Sequence, residues 1–309
     1  MSRIYDALQR ADLEQKAAQG TDSPRAAETF TVPGADALPT IRTDVMMENI
    51  PQYAWKPSMA FLPTLEERGM DVEQFRGLRS QLYQYRDQAK LKTILISSGM
   101  PAEGKTFVAA NLAISLARNK NNKVLLIDGD LRSPSLHVVF GAPDVPGLTE
   151  YLTGSAEPNE IMQHYQINDT REGSLARGIP NLTLIPAGAG GDNSSELVAN
   201  HRIEELVAIL SPHFDWILID SPPVLAVADA IDLARAADAV LLIARAATTP
   251  YDIAQRAQTA FSNTRILGFV LNAVKDATTS SAYSYYYGKY EKQEVVSSNP
   301  GRKAKRRNK

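Results

Sequence analysis

Gly99-Met100-Pro101-Ala102-Glu103-Gly104-Lys105-Thr106 decides the fold of this chain, because it fits the phosphate-binding pattern G-x-x-x-x-G-K-[ST] and lies in the setting that pattern needs. Thr93-Ile94-Leu95-Ile96-Ser97 before it reads as a buried strand, and Phe107 to Arg118 after it as an apolar helix. Glycines let backbone N–H groups turn toward phosphate oxygens, and the start of the following helix adds its positive dipole end. Lys105 then reaches the β- and γ-phosphates of a nucleotide, with the Thr106 hydroxyl free to join a Mg²⁺ shell.

Working outward, apolar strand-like runs at 92–97, 123–128, 181–185, 215–220, 238–244 and 265–272 alternate with helical ones. Parallel strands need crossovers and are buried on both sides, so this alternation predicts an α/β fold: a mostly parallel sheet flanked by helices on both faces. A further helix from about Asp71 to Tyr85 leads into this core. Residues 2–18 read as a short helix capped by Ser2, with Ile4, Tyr5, Leu8 and Leu13 roughly on one side. From 19 to 67 the composition shifts to Gly, Ser, Thr, Pro, Ala and Asp, with prolines at 24, 33, 39, 51, 57 and 63, and reads as a flexible linker. The expected organisation is therefore an N-terminal helix at 1–18, a linker at 19–67, a phosphate-loop domain at 68–278 and a tail at 279–309. There is no internal repeat.

Composition narrows the function. Zero cysteine in 309 residues removes disulfides, thiolate metal sites and cysteine nucleophiles, and four histidines make a histidine-rich metal centre improbable. A net charge of -2 argues against general nucleic-acid binding, although Gly301 to Lys309 is strongly basic. That basic end either keeps the chain soluble or touches anionic lipid head groups or an acidic partner. No apolar run approaches the roughly 18 to 20 residues of a membrane span, and the N-terminus lacks the pattern of a signal peptide. A cytoplasmic protein is expected.

Two acidic strand ends add chemistry to the loop. Val124 to Ile127 runs into Asp128-Gly129-Asp130-Leu131-Arg132, and Trp216 to Ile219 runs into Asp220-Ser221-Pro222-Pro223. Carboxyl ends of neighbouring parallel strands open on one edge, so these aspartates can converge on the mouth of the loop. Mg²⁺ prefers carboxylate and water oxygens, and a carboxylate without a metal duty could accept a proton from an attacking hydroxyl. Taken singly, each aspartate also suits a turn or a helix cap.

The phosphate loop, Ile127 to Arg132, and Ile219 to Pro223 together resemble the bacterial tyrosine kinases of capsule and exopolysaccharide assembly, a P-loop branch unrelated to eukaryotic kinases. The opening Ser2-Arg3-Ile4-Tyr5-Asp6-Ala7-Leu8 is similar to their separate cytoplasmic form found with exosortase-linked systems. This resemblance covers about residues 68–290. It implies a MinD/ParA-like sheet and ATP and Mg²⁺ as cofactors. Nucleotide contacts would come from Gly99, Pro101, Gly104, Lys105, Thr106, Phe107 and Asn272, the last at the adenine edge. It implies metal binding by Thr106, Asp130 and Asp220, proton acceptance by Asp128, and an Arg132 that steadies phosphate charge or positions Asp128. Two alternatives stay open: Arg132 in an ion pair with Asp130, and Asn272 as a strand-end turn.

The family's E-x-x-R-x-x-R element, through which subunits pack into rings, is matched by Glu73, Arg76 and Arg79, with Gly77 an oddity in mid-helix. From spacing alone those three form one face of a solvated helix. Tyr283, Tyr285, Tyr286, Tyr287 and Tyr290 crowd eight positions after the last core strand. They read either as a sticky edge strand or, as in the family, as tyrosines phosphorylated between neighbouring subunits. Each phosphate adds about -1.5 to -2 charge, which would loosen a ring held partly by tail docking. Two departures stand out. The loop from Ala189 to Glu196 lacks the family's prolines, and the transmembrane half of some relatives is missing, so an activating membrane co-polymerase would be a separate polypeptide. A tyrosine phosphatase is a further implied partner, and recruitment to the inner face of the plasma membrane an implied location. Competing readings are a MinD/ParA-like ATPase switch, which carries a second lysine where this chain has Met100-Pro101, and a scaffold that binds ATP only to assemble an export complex.

Overall fold

The computed structural model describes residues 49–66, 68–166, 179, 181–191 and 194–274. The expected helix at 2–18, most of the linker, the tyrosine cluster and the basic end fall outside those residues. Eight strands form one sheet: β1 Gln52–Tyr53, β2 Thr93–Ser98, β3 Val124–Asp128, β4 Gln163–Tyr165, β5 Leu182–Ile185, β6 Trp216–Asp220, β7 Ala239–Arg245 and β8 Ile266–Asn272. Helices among the described residues are α1 Met70–Gln88, α2 Lys105–Ala117, α3 Leu136–Phe140, α4 Leu148–Thr153, α5 Pro158–Ile161, α6 Ser194–Ala199, α7 Arg202–Leu210, α8 Asp229–Ala234 and α9 Tyr251–Ala260. All six expected strands form, each within a residue of its expected ends.

Strand order is β1-β4-β5-β3-β6-β2-β7-β8, parallel from β5 to β8. β4 runs antiparallel to β5, and β1 follows β4. The unbroken Val, Ile and Leu content of the central strands has a direct cause, since both faces are covered. Ile94, Ile96, Leu126, Leu218 and Leu241 face a core closed by α1, α2 and α3. Leu95, Leu125, Ile127, Ile217, Ile219 and Leu242 face a second core closed by α4, α7, α8 and α9. A two-faced strand alternates its side chains between the two cores, so β3 and β6 stay apolar on both faces until they end in Asp128 and Asp220.

One expectation needs correcting. Residues 50–66 are no linker: Trp55 and Leu62 sit in the core, and Tyr53 packs against it from β1. The reason lies in α2, which is apolar nearly all round and so must be covered on its outer side as well. One of its buried polar residues, Asn111, is satisfied largely by that cover. Its Oδ1 accepts from Thr64 N at 3.2 Å and Thr64 Oγ1 at 2.6 Å, and its Nδ2 donates to Phe61 O and Phe107 O, both at 2.9 Å. Arg118, just past the end of α2, donates to the Thr64 and Glu66 carbonyls. Burying Trp55 and Leu62 is worth roughly 2 kcal/mol each, enough to hold a proline-rich segment in place. Among the described residues no helix is long and apolar enough to cross a membrane.

Candidate active site

Turning at Gly104, whose φ of 95° is left-handed, the phosphate loop passes directly into α2 with Lys105 as first residue. No side chain caps this helix, so its opening N–H groups are available to an anion. Lys105 is nearly buried, and its ammonium acts electrostatically on both Asp130 and Asp220. The two acidic strand ends converge as expected: Asp128 and Asp220 are register partners across β3 and β6. Thr106 Oγ1 donates to Asp220 Oδ2 at 2.6 Å and lies 3.2 Å from Ser135 Oγ.

The environments of the acids differ. Asp128 accepts Asp130 N on Oδ1 at 3.2 Å, and Ser135 N and Leu136 N on Oδ2 at 3.1 and 3.0 Å. Burial pushes its carboxyl up to about 6 despite those three N–H groups, and the charge of Asp130 adds to the rise. Asp220 is lifted further, to about 8, by burial first and the charge of Asp128 second, with the Thr106 hydroxyl and Lys105 pulling the other way. Asp130 is less enclosed and is also raised, chiefly by burial, against the Ser133 N–H and Lys105. Two carboxylates stacked this closely are each other's penalty, and the buried Asp220 Oδ1 has no hydrogen-bond partner. A divalent cation relieves both deficits, so the residues fit Mg²⁺. Among the described residues no three acidic or histidine side chains form a cage by themselves. That suits an ion which takes one or two carboxylates and completes its shell with water and phosphate oxygens.

Other expected site residues stand as follows. Arg132 does not pair with Asp130: its Nε donates to Asp229 Oδ2 at 3.0 Å, and its guanidinium also reaches Ser195, whose hydroxyl donates to Asp229 Oδ1 at 2.6 Å. The buried Asp229 competes successfully because it offers both oxygens to a closed triangle. Phe107 turns its ring onto Phe75 of α1, centroids 6.0 Å apart, and packs against the core. Asn272 ends β8 beside the loop, with Nδ2 donating to Glu103 O at 2.9 Å and Oδ1 accepting Ala273 N at 2.8 Å. Gly99 packs against α9, where an added Cβ would lie 3.0 Å from Ile253. On α1, Glu73 and Arg76 form an ion pair, whereas Arg79 reaches inward to Ser115 O in the last turn of α2. Gly77 has open space around it, so no packing need explains it.

Sequence reasoning missed Glu103, Arg245, Thr249, Ser195 and Asp229. Glu103 was visible inside the motif, but its partner Thr249 lies 146 residues away, and no local pattern marks Asp229 as the mate of Arg132.

Loop, lysine, threonine and paired strand-end acids define a P-loop nucleotide-binding protein. A family model described as an AAA domain matches residues 91–255. The chain is 33% identical to tyrosine-protein kinase wzc of Salmonella typhimurium, over 71% of this chain and 29% of that one. It is 31% identical to tyrosine-protein kinase YwqD of Bacillus subtilis, over 72% of this chain and 88% of that one. In structure it is similar to the kinase domain of Escherichia coli tyrosine kinase ETK, with a TM-score of 0.62 and 29% identity over 74% of this chain and 85% of that one. The chain belongs to the bacterial tyrosine-protein kinase family. It thus spans less than a third of wzc but most of YwqD.

Proposed function

We propose that this protein is an ATP-dependent protein-tyrosine autokinase that phosphorylates the cluster Tyr283, Tyr285, Tyr286, Tyr287 and Tyr290 of a neighbouring copy, and so regulates polymerisation and export of an exopolysaccharide or capsule. The observation that carries this reading is the register pairing of Asp128 with Asp220 at the mouth of the phosphate loop, with the Thr106 hydroxyl already bonded to Asp220.

The residues divide the work. Loop N–H groups and Lys105 hold the β- and γ-phosphates of ATP, and the lysine ammonium offsets charge that grows on them during transfer. Thr106, Asp220 and, directly or through water, Asp130 would hold Mg²⁺, which would supply charge neutralisation to the phosphates. Asp128, with one N–H on Oδ1 against two on Oδ2, has a lone pair left on Oδ1 for the tyrosine proton, and a carboxyl near 6 is ionised at neutral pH yet basic enough to take it. The phenol oxygen then bonds to the γ-phosphorus as the bond to the ADP oxygen breaks. Arg132, held by Asp229, would steady phosphate charge. Glu73, Arg76 and Arg79 carry ring contacts between copies, a separate transmembrane co-polymerase activates the kinase at the inner membrane face, and a tyrosine phosphatase resets it.

Incubating the protein with Mg-ATP and mapping phosphate by mass spectrometry tests the chemistry. Phosphotyrosine is expected on the tail, absent in Lys105→Met alone, and restored on the Lys105→Met chains when wild-type protein is added. ATP consumed over an unmodified tail would overturn the kinase in favour of a nucleotide switch. Replacing Glu73, Arg76 and Arg79 with alanine is expected to reduce particle size in light scattering, and an unchanged size removes the ring.

A further inference from the structure

The loop that is to grip phosphate is itself gripped from outside. Ser98 Oγ donates to Met100 O at 2.8 Å, Arg245 at the end of β7 donates to Ala102 O at 3.2 Å, and Asn272 at the end of β8 donates to Glu103 O at 2.9 Å. Glu103, almost fully buried, closes the turn by accepting Met100 N at 2.8 Å on one carboxylate oxygen and the Thr249 hydroxyl on the other. Thr249 is fixed in turn, since its Oγ1 accepts Arg245 N at 2.7 Å.

Peptide geometry makes this consequential. A trans peptide plane carries its C=O and its N–H on opposite sides. Donors that hold the carbonyls of Ala102 and Glu103 toward β7 and β8 therefore turn the N–H groups of Glu103 and Gly104 the other way, toward the hollow of the loop. Ser98 fixes the turn only, because the plane it anchors ends in Pro101, which has no N–H. The fit also accounts for Gly104, where an added Cβ would stand 1.9 Å from Asn272 Nδ2. Only glycine allows that amide so close to the backbone at a φ of 95°.

The geometry points to Arg245 and Asn272 as positioning residues that set the peptide planes of the phosphate loop, so that affinity for the polyphosphate chain, not for the base, depends on them. This inference rests on the nucleotide-binding part of the function proposed above. It gives Asn272 a duty different from reading adenine, and it recruits Arg245, which stands on the exposed rim.

Calorimetric titration of the full chain with Mg-ATP and with Mg-bound inorganic triphosphate, which has no base or sugar, separates the two duties. Losing one such hydrogen bond is expected to weaken both ligands equally, by about 3- to 10-fold, in Arg245→Ala and in Asn272→Ala. Weakened ATP with unchanged triphosphate in Asn272→Ala, together with an unaffected Arg245→Ala, would overturn the inference and return Asn272 to the base. Should Asn272→Ala melt early, the exposed Arg245→Ala decides alone: unchanged triphosphate binding there sinks the inference. Wild-type protein that takes up neither ligand would instead bring down the nucleotide site itself, and this inference with it.

Discussion

β6 carries an aspartate at each end, and the two live differently. Asp215, just before the strand, accepts Lys123 N at 2.7 Å and donates its own N–H to Lys123 O at 2.8 Å, clasping the start of β3. Asp238 does the same one connection later, accepting Lys92 N and Thr93 N at 2.8 Å and returning its N–H to Thr93 O at 2.9 Å at the start of β2. At the opposite edge Asp220 faces Asp128, keeps one oxygen without a hydrogen-bond partner and is pushed up to about 8. The same residue type, on the same strand, is a clasp where backbone donors are plentiful and a stored electrostatic conflict where another acid stands opposite. Stability is built at one edge of the sheet and given up at the other, which is how active sites commonly relate to their scaffolds.

Removing the carboxylate at each edge would break or sharpen this contrast. The largest effect is expected for Asp220→Asn, where tyrosine phosphorylation falls by about 100-fold or more in an initial-rate assay, while the nucleotide-free protein melts higher than wild type. Equal loss of activity and stability would show Asp220 to be a clasp after all. Next comes pH. A carboxyl raised on folding makes the native state bind more protons than the unfolded chain, so stability is greatest below about pH 4 for this term and is lost as pH rises through about 8. Without nucleotide and Mg²⁺, melting is expected to fall by up to about 2–4 °C per pH unit between pH 5 and 8, and Asp220→Asn is expected to flatten that slope. A slope of opposite sign in calorimetry would mean that burial and the facing Asp128 do not raise the Asp220 carboxyl.

At the clasping edge, Asp238→Ala leaves two backbone N–H groups without their acceptor and is expected to cost about 1–3 kcal/mol of stability, seen as a lower midpoint in urea, with phosphorylation retained at low temperature. Asp215→Ala releases a single such donor and is expected to cost about 1 kcal/mol or less. Loss of phosphorylation in either variant, with the fold intact, would erase the division between the edges.

Much of this was legible in the amino-acid sequence for a physical reason. Runs such as Val124-Leu125-Leu126-Ile127 declare burial on two faces, and the polar residue that ends each run marks the sheet edge where a site forms. The phosphate loop, Asp128 and Asp220 were found by that logic. β1 and β4 were not, since two and three polar-leaning residues carry no period, and Trp55 and Leu62 were hidden among prolines because burial there is dictated by the outer face of α2. The ties of Arg132 to Asp229 and of Glu103 to Thr249 join residues 97 and 146 positions apart, and only the folded sheet brings them together.

The cover on α2 has a mechanical side. Asn111 and Arg118 fasten residues 61–66 along the rod whose first residue is Lys105. Shifts of residues 61–66 therefore act on the same rod that begins at Lys105, and a version shortened to start at Met70 would strip Asn111 of its Thr64 and Phe61 partners, leaving it bound to Phe107 O alone, and bare apolar side chains to water.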